Sequence, residues 1–265
     1  MAININRVYQ KVLALANKEQ RGYITPQEFN LFADHAQKDI FEQYFYDLEQ
    51  RQRGTGNKSG YADAITSIQE KIAMFERNEQ ELSSSGQYSD VHVSNNLTDF
   101  YRLSSVNVGY ANYSLDSEQP IPLGFQDQIA YYKAEPVKIS ELRKYENSPL
   151  GIYTKTRPVY TKFSTPGSAL TIRIYPTLSE ADVFRVNYIR KPKAPNWTYL
   201  ISTGSNKSAL YNPTAPDHQD FELHPSEEKK LVLKILQLAG VSIKDLQLTG
   251  AASSEEIKGL QQEKQ

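Results

Sequence analysis

Hydrophobic positions at the start of the chain recur with the period of a helix. The members of the first apolar stripe are Ile5, Val8, Val12 and Leu15. A stripe at this spacing predicts a helix that buries one face, and Arg21-Gly22 is predicted to end it. A third helix is predicted at 61–82, after the Gly-rich stretch 53–60. The whole of 4–83 is therefore predicted to be helical.

The start of the second helix is predicted by a specific polar pattern, Thr25-Pro26-Gln27-Glu28. Thr25 can cap the helix, Pro26 suits the first helical position, and Glu28 can bond back to the cap. Aromatic and aliphatic residues follow over Phe29–Leu48 in a wide stripe. This width indicates a helix that packs on more than one neighbour.

The period changes to that of strands in the middle of the chain. Short strands are predicted at 91–93 and 100–108, and clearer ones at 157–163, 170–175 and 183–190, because β-branched and aromatic residues alternate there with polar ones. Thr165-Pro166-Gly167-Ser168 is predicted to turn the first pair of the clear strands. These three strands together predict an antiparallel meander with one buried face.

A last helix is predicted from Pro225 or Ser226 to Gly240, followed by a polar tail over 255–265. The predicted organisation is a helical segment at 1–87, a β-rich insertion at 88–224, and a C-terminal helix and tail at 225–265 that pack back on the first helices. The predicted fold class is therefore α+β, in which terminal helices form a helical bundle with an inserted antiparallel β region.

Composition narrows the classes of partner. Thirty basic residues nearly balance 31 acidic ones, so the net charge of −1 predicts neither an anionic membrane nor duplex nucleic acid as the main partner. With no cysteine, the chain has no disulfide, thiol nucleophile or sulfur-ligated zinc. The first residues lack the apolar core of a secretory signal, so we expect synthesis in the cytoplasm. Eighteen tyrosines suit either partly wet interfaces or half-exposed strands.

The most suggestive chemistry lies in the segment 217–224. On an extended strand, the side chains at alternate positions would project to one face, and they could then ligate a metal. These candidate ligands are His218, Asp220, Glu222 and His224. Alternating polar residues are also what a solvated strand face looks like, and this reading is preferred, so no metal and no cofactor are predicted.

No other motif supports catalysis. The sequence contains no Gly-x-Ser-x-Gly elbow, and Gly54-Thr55-Gly56-Asn57-Lys58-Ser59 lacks the glycine that precedes lysine in a phosphate-binding loop. A non-enzymatic protein is therefore predicted. Basic residues interleave with aromatic ones at 155–160 and 188–193, so a single-stranded nucleic acid binding module, acting as monomer or dimer, remains an alternative.

Three stretches together resemble virion proteins of short-tailed bacteriophages, in particular the ring or tail-adaptor proteins of crAss-like phages. They are Gly22–Asn30, Asp220–Glu228 leading into Leu231–Gly240, and the stretch from Arg173-Ile174-Tyr175-Pro176 to Phe184–Pro192. The layout is also similar to the tubular adaptor beneath the portal in other short-tailed phages, a helical bundle that carries a β insertion.

This resemblance implies a structural subunit of the virion neck or tail, assembled in the host cytoplasm. It implies a homo-oligomeric, twelvefold ring that is stacked on the portal or on another ring. Genomic DNA would pass through its channel without sequence-specific binding. The polar tail at 255–265 would be free to order on a neighbouring subunit.

Overall fold

The structure is a computed structural model that describes residues 3–17, 24–53, 59–82, 90–110, 130–166, 168–179, 182–202 and 209–243, with Ser254 and Lys258. Its helices are α1 Ile5–Asn17, α2 Pro26–Arg53, α3 Ser59–Ala73, α4 Val93–Asn96, α5 Ile139–Glu146 and α6 Glu228–Ile243. Its strands are β1 Glu76–Leu82, β2 Asp90–His92, β3 Phe100–Tyr110, β4 Ala130–Pro136, β5 Val159–Thr165, β6 Ser168–Tyr175, β7 Val183–Arg190, β8 Tyr199–Ile201 and β9 Ala209–Tyr211.

The chain divides into two compact units. The first contains Met1–Met74 and Pro192–Gln265, and the second contains Phe75–Lys191. Both ends of the chain thus contribute to the first unit, whereas the second is one continuous stretch.

The start of α2 has the predicted capping box. The backbone N–H of Thr25 donates to Glu28 Oε2 at 3.0 Å, and the backbone N–H of Glu28 donates to Thr25 Oγ1 at 3.3 Å. Two N–H groups that would otherwise lack a partner at the helix start are satisfied in this way. The prediction of a helix that begins at Pro26 is confirmed.

The core of the first unit is shared between helices and extended chain. α6 packs on α1 and α2, and α3 packs on α2. Three large side chains from extended segments, Trp197, Phe221 and Leu223, are buried among them. The wide apolar stripe of α2 is thereby explained, because it covers extended chain as well as helices.

Two side-chain amides of α2 satisfy the backbone of that extended chain. Asn30 Oδ1 accepts the backbone N–H of Trp197 at 2.8 Å, and Asn30 Nδ2 donates to the carbonyl of Trp197 at 3.2 Å. Gln37, which is fully buried, donates to the carbonyl of Lys193 at 2.7 Å and accepts the N–H of Glu222 at 3.0 Å. The amides act as a substitute for a neighbouring strand.

The second unit is organised by a seven-stranded sheet in the order β1-β7-β3-β4-β5-β6-β2. The sheet is mixed, because β4 and β5 are parallel through Glu135–Val159 and Pro136–Tyr160 while the other neighbours are antiparallel. α5 lies in the connection between these two parallel strands, as a parallel pair requires a crossover. The buried core includes Val106, Ile172 and Val186.

The predicted fold class is wrong. Terminal helices forming a bundle with an inserted antiparallel β region were expected, but the dominant element is a curled, mixed seven-stranded sheet, a half-barrel, and the helices do not form a terminal bundle. The physical reason is that α1 and α2 bury much of their apolar stripes against extended segments. The parallel β4–β5 pair, moreover, could not be inferred from alternation within single strands.

The third predicted helix is correct only over its first part. α3 ends at Ala73, and 76–82 forms β1, an edge strand that pairs antiparallel with β7. The Glu-rich sequence of β1 has a helical propensity that this pairing overrides. A bulge lies between Arg77 and Gln80, where Glu79 has a φ of 55°.

The predicted meander is half correct. β5 and β6 are antiparallel neighbours, as predicted, but β7 lies between β1 and β3 and is not a neighbour of β6. α6 begins close to the predicted position but continues past Gly240 to Ile243. The predicted polar tail at 255–265 lies outside the described residues, except for Lys258. Among the described residues, no helix is both long and apolar enough to cross a membrane.

The capping box gives a prediction about pH. Hydrogen bonds from the backbone N–H and then the hydroxyl of Thr25 hold the pKa of Glu28 below its ordinary value of 4.5. Since the folded-state pKa is the lower one, the stabilisation is complete above about pH 4.5 and is lost as pH falls through the folded pKa. Thr25→Val should raise the pKa of Glu28 part of the way towards 4.5, because it removes the hydroxyl and leaves the backbone N–H. An NMR titration of the Glu28 carboxyl carbon measures this change. Gln27→Ala, a neighbouring exposed change, should leave it in place, and an unmoved pKa in Thr25→Val would contradict the box.

The bridging role of Gln37 gives a prediction about stability. Gln37→Ala removes the bonds to the part-buried carbonyl of Lys193 and N–H of Glu222, which should lower the free energy of unfolding by about 1–3 kcal/mol. Chemical denaturation measures this change. Gln27→Ala removes an exposed amide from the same helix and should cost less than about 0.5 kcal/mol. Equal losses in the two variants would show that the bridge does not stabilise the fold.

Candidate interaction surface

Trp197 fixes the position of a small sheet on the first unit. Its side chain is only 2% exposed, and its indole N–H donates to Asn6 Oδ1 at 3.1 Å. The ring lies 4.3 Å from that of Tyr9, measured between centroids. On another side it stacks with Tyr199 and Tyr211, each at 5.8 Å. These rings join the β8–β9 sheet to the core of the unit.

The register of the β8–β9 sheet places tyrosines and leucines on opposite faces. Tyr199 pairs with Tyr211, and Leu200 pairs with Leu210. Directly opposed residues share a face and successive residues alternate, so the tyrosine pair faces Trp197 while the leucine pair faces away. Leu200 is 60% exposed and Leu210 56%. The outward face therefore presents an apolar cross-strand pair, which we call the leucine pair.

The small sheet has no further strand among the described residues, because β8 and β9 pair only with each other there. Ile201, which by the same alternation lies on the tyrosine face, is 63% exposed. A two-stranded sheet is marginal in water by itself. The stacking on Trp197 and a bond from the Thr198 hydroxyl to the carbonyl of Asn212 hold it in place.

A groove between α1 and α6 forms a second apolar surface on the same unit. It has a volume of about 650 Å³. Its lining includes Ala14, Leu15, Pro225, Val232 and Leu233. Leu15 is 45% exposed there. At the groove, Glu228 binds Lys11 at 2.6 Å and Arg7 at 3.0 Å, and these contacts tie the two helices together.

A smaller cavity of about 220 Å³ lies beside a buried ion pair. Glu227, 3% exposed, binds Lys71, whose ammonium also lies 5.7 Å from the centre of the Tyr44 ring. Arg51, Asp47 and Lys230 complete the charged lining. Both signs of charge are present, so the cavity has no clear preference for an anion or a cation. The ion pair has a structural role, since it joins α3 to the turn before α6.

The candidate metal ligands bind elements of the fold. Asp220 Oδ1 accepts the backbone N–H of Ile5 at 2.8 Å, and Glu222 Oε2 accepts that of Lys193 at 2.8 Å. His224 Nδ1 caps the turn before α6 by accepting the N–H of Ser226 at 3.3 Å. His218 Nε2 lies 3.3 Å from Tyr211 Oη and 3.7 Å from Asp220 Oδ1.

The buried Phe221 and Leu223 alternate with these polar residues along the segment. Within the described part of the chain, no group of three or more histidine, aspartate or glutamate side chains is placed to hold a metal ion. The structure thus gives each of the four candidates a contact within the fold.

The two tyrosines at the strand ends are packed in the second unit's own core, whereas Lys155, Arg157 and Lys191 are exposed. Tyr188 is buried and donates to Asp99 Oδ1 at 3.0 Å, and the Arg190 guanidinium lies 5.7 Å from the centre of the Phe75 ring. Tyr160 is buried as well, with the Lys162 ammonium 5.8 Å from its ring centre. Bases need an exposed aromatic face on which to stack. Neither tyrosine offers such a face.

The second unit has its own exposed apolar side chains near α5. Ile139 at the start of α5, Leu150 and Ile152 are all exposed, and Leu150 is 92% exposed. They lie in and just after a helix whose buried anchor is Leu142. In contrast to the leucine pair, no strand register places them together on one face, so Leu150 serves as a matched surface leucine for comparison.

The sequence analysis did not find the β8–β9 sheet. Its strands are three residues long, which is too short for alternation to be recognised. The order Tyr-Leu at 199–200 is reversed to Leu-Tyr at 210–211, so antiparallel pairing places tyrosine opposite tyrosine and leucine opposite leucine. This reversal is a sequence signal from which the pair could have been predicted. The groove depends on how α1 meets α6, and no local pattern encodes that contact.

Comparison with family models and with curated proteins gives no match. Interpretation of the two apolar surfaces therefore rests on their geometry and on the resemblance described above.

The opposed faces of the β8–β9 sheet give a prediction. Trp197→Ala removes the ring on which both tyrosines stack and should lower the free energy of unfolding by about 3–5 kcal/mol. The double variant Leu200→Ser/Leu210→Ser changes only the outward face and should stay within about 0.5 kcal/mol of the original protein. Urea denaturation compares them. A loss in the leucine variant as large as that in Trp197→Ala would show that the leucine pair is packed and not presented.

Proposed function

We propose that this chain is a non-enzymatic structural subunit of a ring in the neck or tail of a short-tailed bacteriophage. In this proposal the ring connects portal to tail and lines the channel through which DNA passes. The observation that carries the proposal is the presence of two unlike apolar surfaces on one unit, the leucine pair and the α1–α6 groove. Unlike surfaces on one chain allow head-to-tail contacts, and such contacts generate a closed ring when the rotation between neighbours closes.

The stretches that carry the resemblance to ring proteins support the same proposal. Asp220 and Glu222 fasten the extended chain to α1 and to Lys193, and Glu228 ties α6 to α1. These residues thus build the unit that presents both apolar surfaces. The bundle-like layout that the resemblance implied is not what the structure has, so the support comes from these local stretches and from the surfaces.

Charge is compatible with a channel subunit. DNA passes easily only where a wall does not hold its phosphates, and tight binding to phosphates requires many lysines and arginines on one surface. The chain has a net charge of −1. We infer that such a ring guides DNA without gripping it.

The proposal is tested by the mass of the purified full-length protein. Light scattering over a range of concentrations, with and without portal-bearing phage particles, is followed by negative-stain imaging. We expect closed rings at high concentration, or incorporation at the portal vertex of the particles. Leu200→Ser/Leu210→Ser should reduce assembly at unchanged stability, while Leu150→Ser, a similar change on the second unit, should not.

A different outcome would replace the proposal. A protein that stays monomeric at all concentrations, ignores the particles and binds labelled single-stranded oligonucleotide in a salt-dependent manner would be a nucleic acid binding module. The tyrosines at 160 and 188 would then have to leave the core to stack with bases.

A further inference from the structure

The connection between the parallel strands β4 and β5 exposes apolar and basic side chains together. This connection, residues 137–158, contains α5 and the turns that follow it, and we call it the α5 crossover. We propose that the α5 crossover is a contact surface for an anionic lipid bilayer, against which it lies without crossing it. The inference concerns the second unit and does not rest on the proposed ring function.

The α5 crossover is anchored by a small core of its own. Three buried aliphatic side chains form this core and three tyrosines pack against them, namely Val137, Leu142 and Val159 with Tyr145, Tyr153 and Tyr175. Because Val159 begins β5 and Tyr175 ends β6, the core fastens the crossover to the sheet. Side chains that point away from this core are therefore presented to the outside by a fixed support.

Leu150 is 92% exposed, although hydrogen bonds define the turn that carries it. The backbone N–H of Gly151 donates to Ser148 Oγ at 3.1 Å, and the backbone N–H of Ile152 donates to the carbonyl of Ser148 at 3.1 Å. A Cβ atom added at Gly151 would lie 2.9 Å from Ser148 Oγ, so a side chain there would displace the hydroxyl that holds the turn. A leucine in water forgoes the stabilisation that burial gives, and this turn holds it there.

The outer side of α5 is basic. Successive residues of a helix are rotated by about 100°, and the buried Leu142 with the half-buried Tyr145 defines the inner side. Arg143 and Lys144 point away from that side, whereas the two glutamates of the helix lie at its borders. Ile139 is 57% exposed and lies one turn before Arg143, on the same face. An aliphatic side chain thus adjoins the exposed cations.

The charge of the α5 crossover differs from that of the whole chain. It has five basic residues and two acidic ones, all exposed, and hence a surplus of three positive charges: Lys138, Arg143, Lys144, Lys155 and Arg157 against Glu141 and Glu146. Lys155 also lies 5.6 Å from the centre of the Tyr110 ring, and the other four basic residues form no ion pair among the described residues.

The strands beside the crossover do not reverse this sign. β5 and β6 contain no carboxylate, and β4 contains Glu135 together with Lys133. The net charge of −1 for the whole chain conceals this local surplus. A positive potential is therefore expected where the exposed aliphatic side chains are.

An anionic bilayer matches this combination better than a nucleic acid does. Lysine and arginine are attracted to an anionic leaflet, while aliphatic side chains enter the boundary between headgroups and acyl chains. A fluid bilayer needs no matching recess to receive a projecting leucine, as a folded partner would. Bases need exposed aromatic faces, but Tyr145 and Tyr153 are packed against the small core.

The test is flotation of the full-length protein with lipid vesicles. We expect binding to vesicles made of equal parts phosphatidylcholine and phosphatidylglycerol, and little binding to vesicles of phosphatidylcholine alone. Arg143→Gln/Lys144→Gln should weaken binding to the anionic vesicles roughly thirtyfold, because two attracted charges are lost. Leu150→Ser should weaken it roughly tenfold, because an inserted aliphatic side chain is lost.

Matched controls test whether these effects belong to the crossover. Lys191→Gln/Lys193→Gln removes the same amount of charge from exposed residues outside the crossover, and Leu31→Ser removes an exposed leucine from α2. Both controls should leave vesicle binding unchanged. Thermal unfolding checks that every variant is folded.

A dye attached to the turn reports the contact directly. The chain contains no cysteine, so Leu150→Cys can carry a single polarity-sensitive dye. Its emission should shift to the blue on anionic vesicles, because the dye leaves water for the acyl boundary. The same dye on Leu31→Cys should not shift.

Several results would overturn the inference. Absence of binding to the anionic vesicles, or equal binding to both kinds of vesicle, would remove the anionic bilayer as the partner. An unshifted dye at Leu150→Cys in vesicle-bound protein would show that the turn does not enter the lipid. A loss in Lys191→Gln/Lys193→Gln as large as that in Arg143→Gln/Lys144→Gln would show attraction by charge in general.

A nucleic acid is the remaining rival for this surface. Salt-sensitive binding of a labelled single-stranded oligonucleotide that is lost in Arg143→Gln/Lys144→Gln, without binding to vesicles, would assign the surface to nucleic acid and overturn the bilayer contact. Each of these outcomes is independent of whether the protein forms rings, so the vesicle experiment and the test of the proposed function are decided separately.

Discussion

The architecture of the first unit depends on two amide side chains of one helix. Asn30 and Gln37 lie two turns apart on α2, and they bind the backbones of Trp197, Lys193 and Glu222. Buried peptide groups must find partners, and here a helix supplies partners that a strand would normally provide. The amides fix the path of the extended chain. They thereby set both the position of Trp197 under the small sheet and the position of Asp220 at the start of α1.

The large sheet and the small sheet differ in the residues that they expose. The edge strand β1 carries charged side chains and a bulge at Glu79, and β2 at the other edge has only three residues. Such features discourage a further strand from adding to a sheet. The β8–β9 sheet is short as well, but its outward face carries the apolar leucine pair. The exposed surface of the first unit is therefore adapted to side-chain contact, while the second unit resists backbone pairing at its edges.

Local signals in the sequence predicted local structure well. The capping box at Thr25, the strand at 183–190 and the turn between β5 and β6 were all predicted from neighbouring residues, and the structure confirms them. The prediction was wrong where distant contacts decide. β1 is a strand because β7 pairs with it, and extended segments that carry Trp197, Phe221 and Leu223 are buried among the helices of the first unit. The cluster at 218–224 shows the same limit. Its alternation was recognised, but its bonds to Ile5 and Lys193 span 215 and 29 residues and could not be read from spacing.

The division of the chain has a consequence for its synthesis on the ribosome. The second unit, Phe75–Lys191, is one continuous stretch, so all of it has been made before Pro192 is added. The first unit must wait for Trp197, Phe221 and α6, which follow the second unit along the chain, so α1 and α2 lack these packing partners until the second unit has been made. During that interval their aromatic stripes are available to chaperones or to other nascent chains. The order of synthesis thus completes the two apolar surfaces of the first unit only after the whole of the second unit has been made.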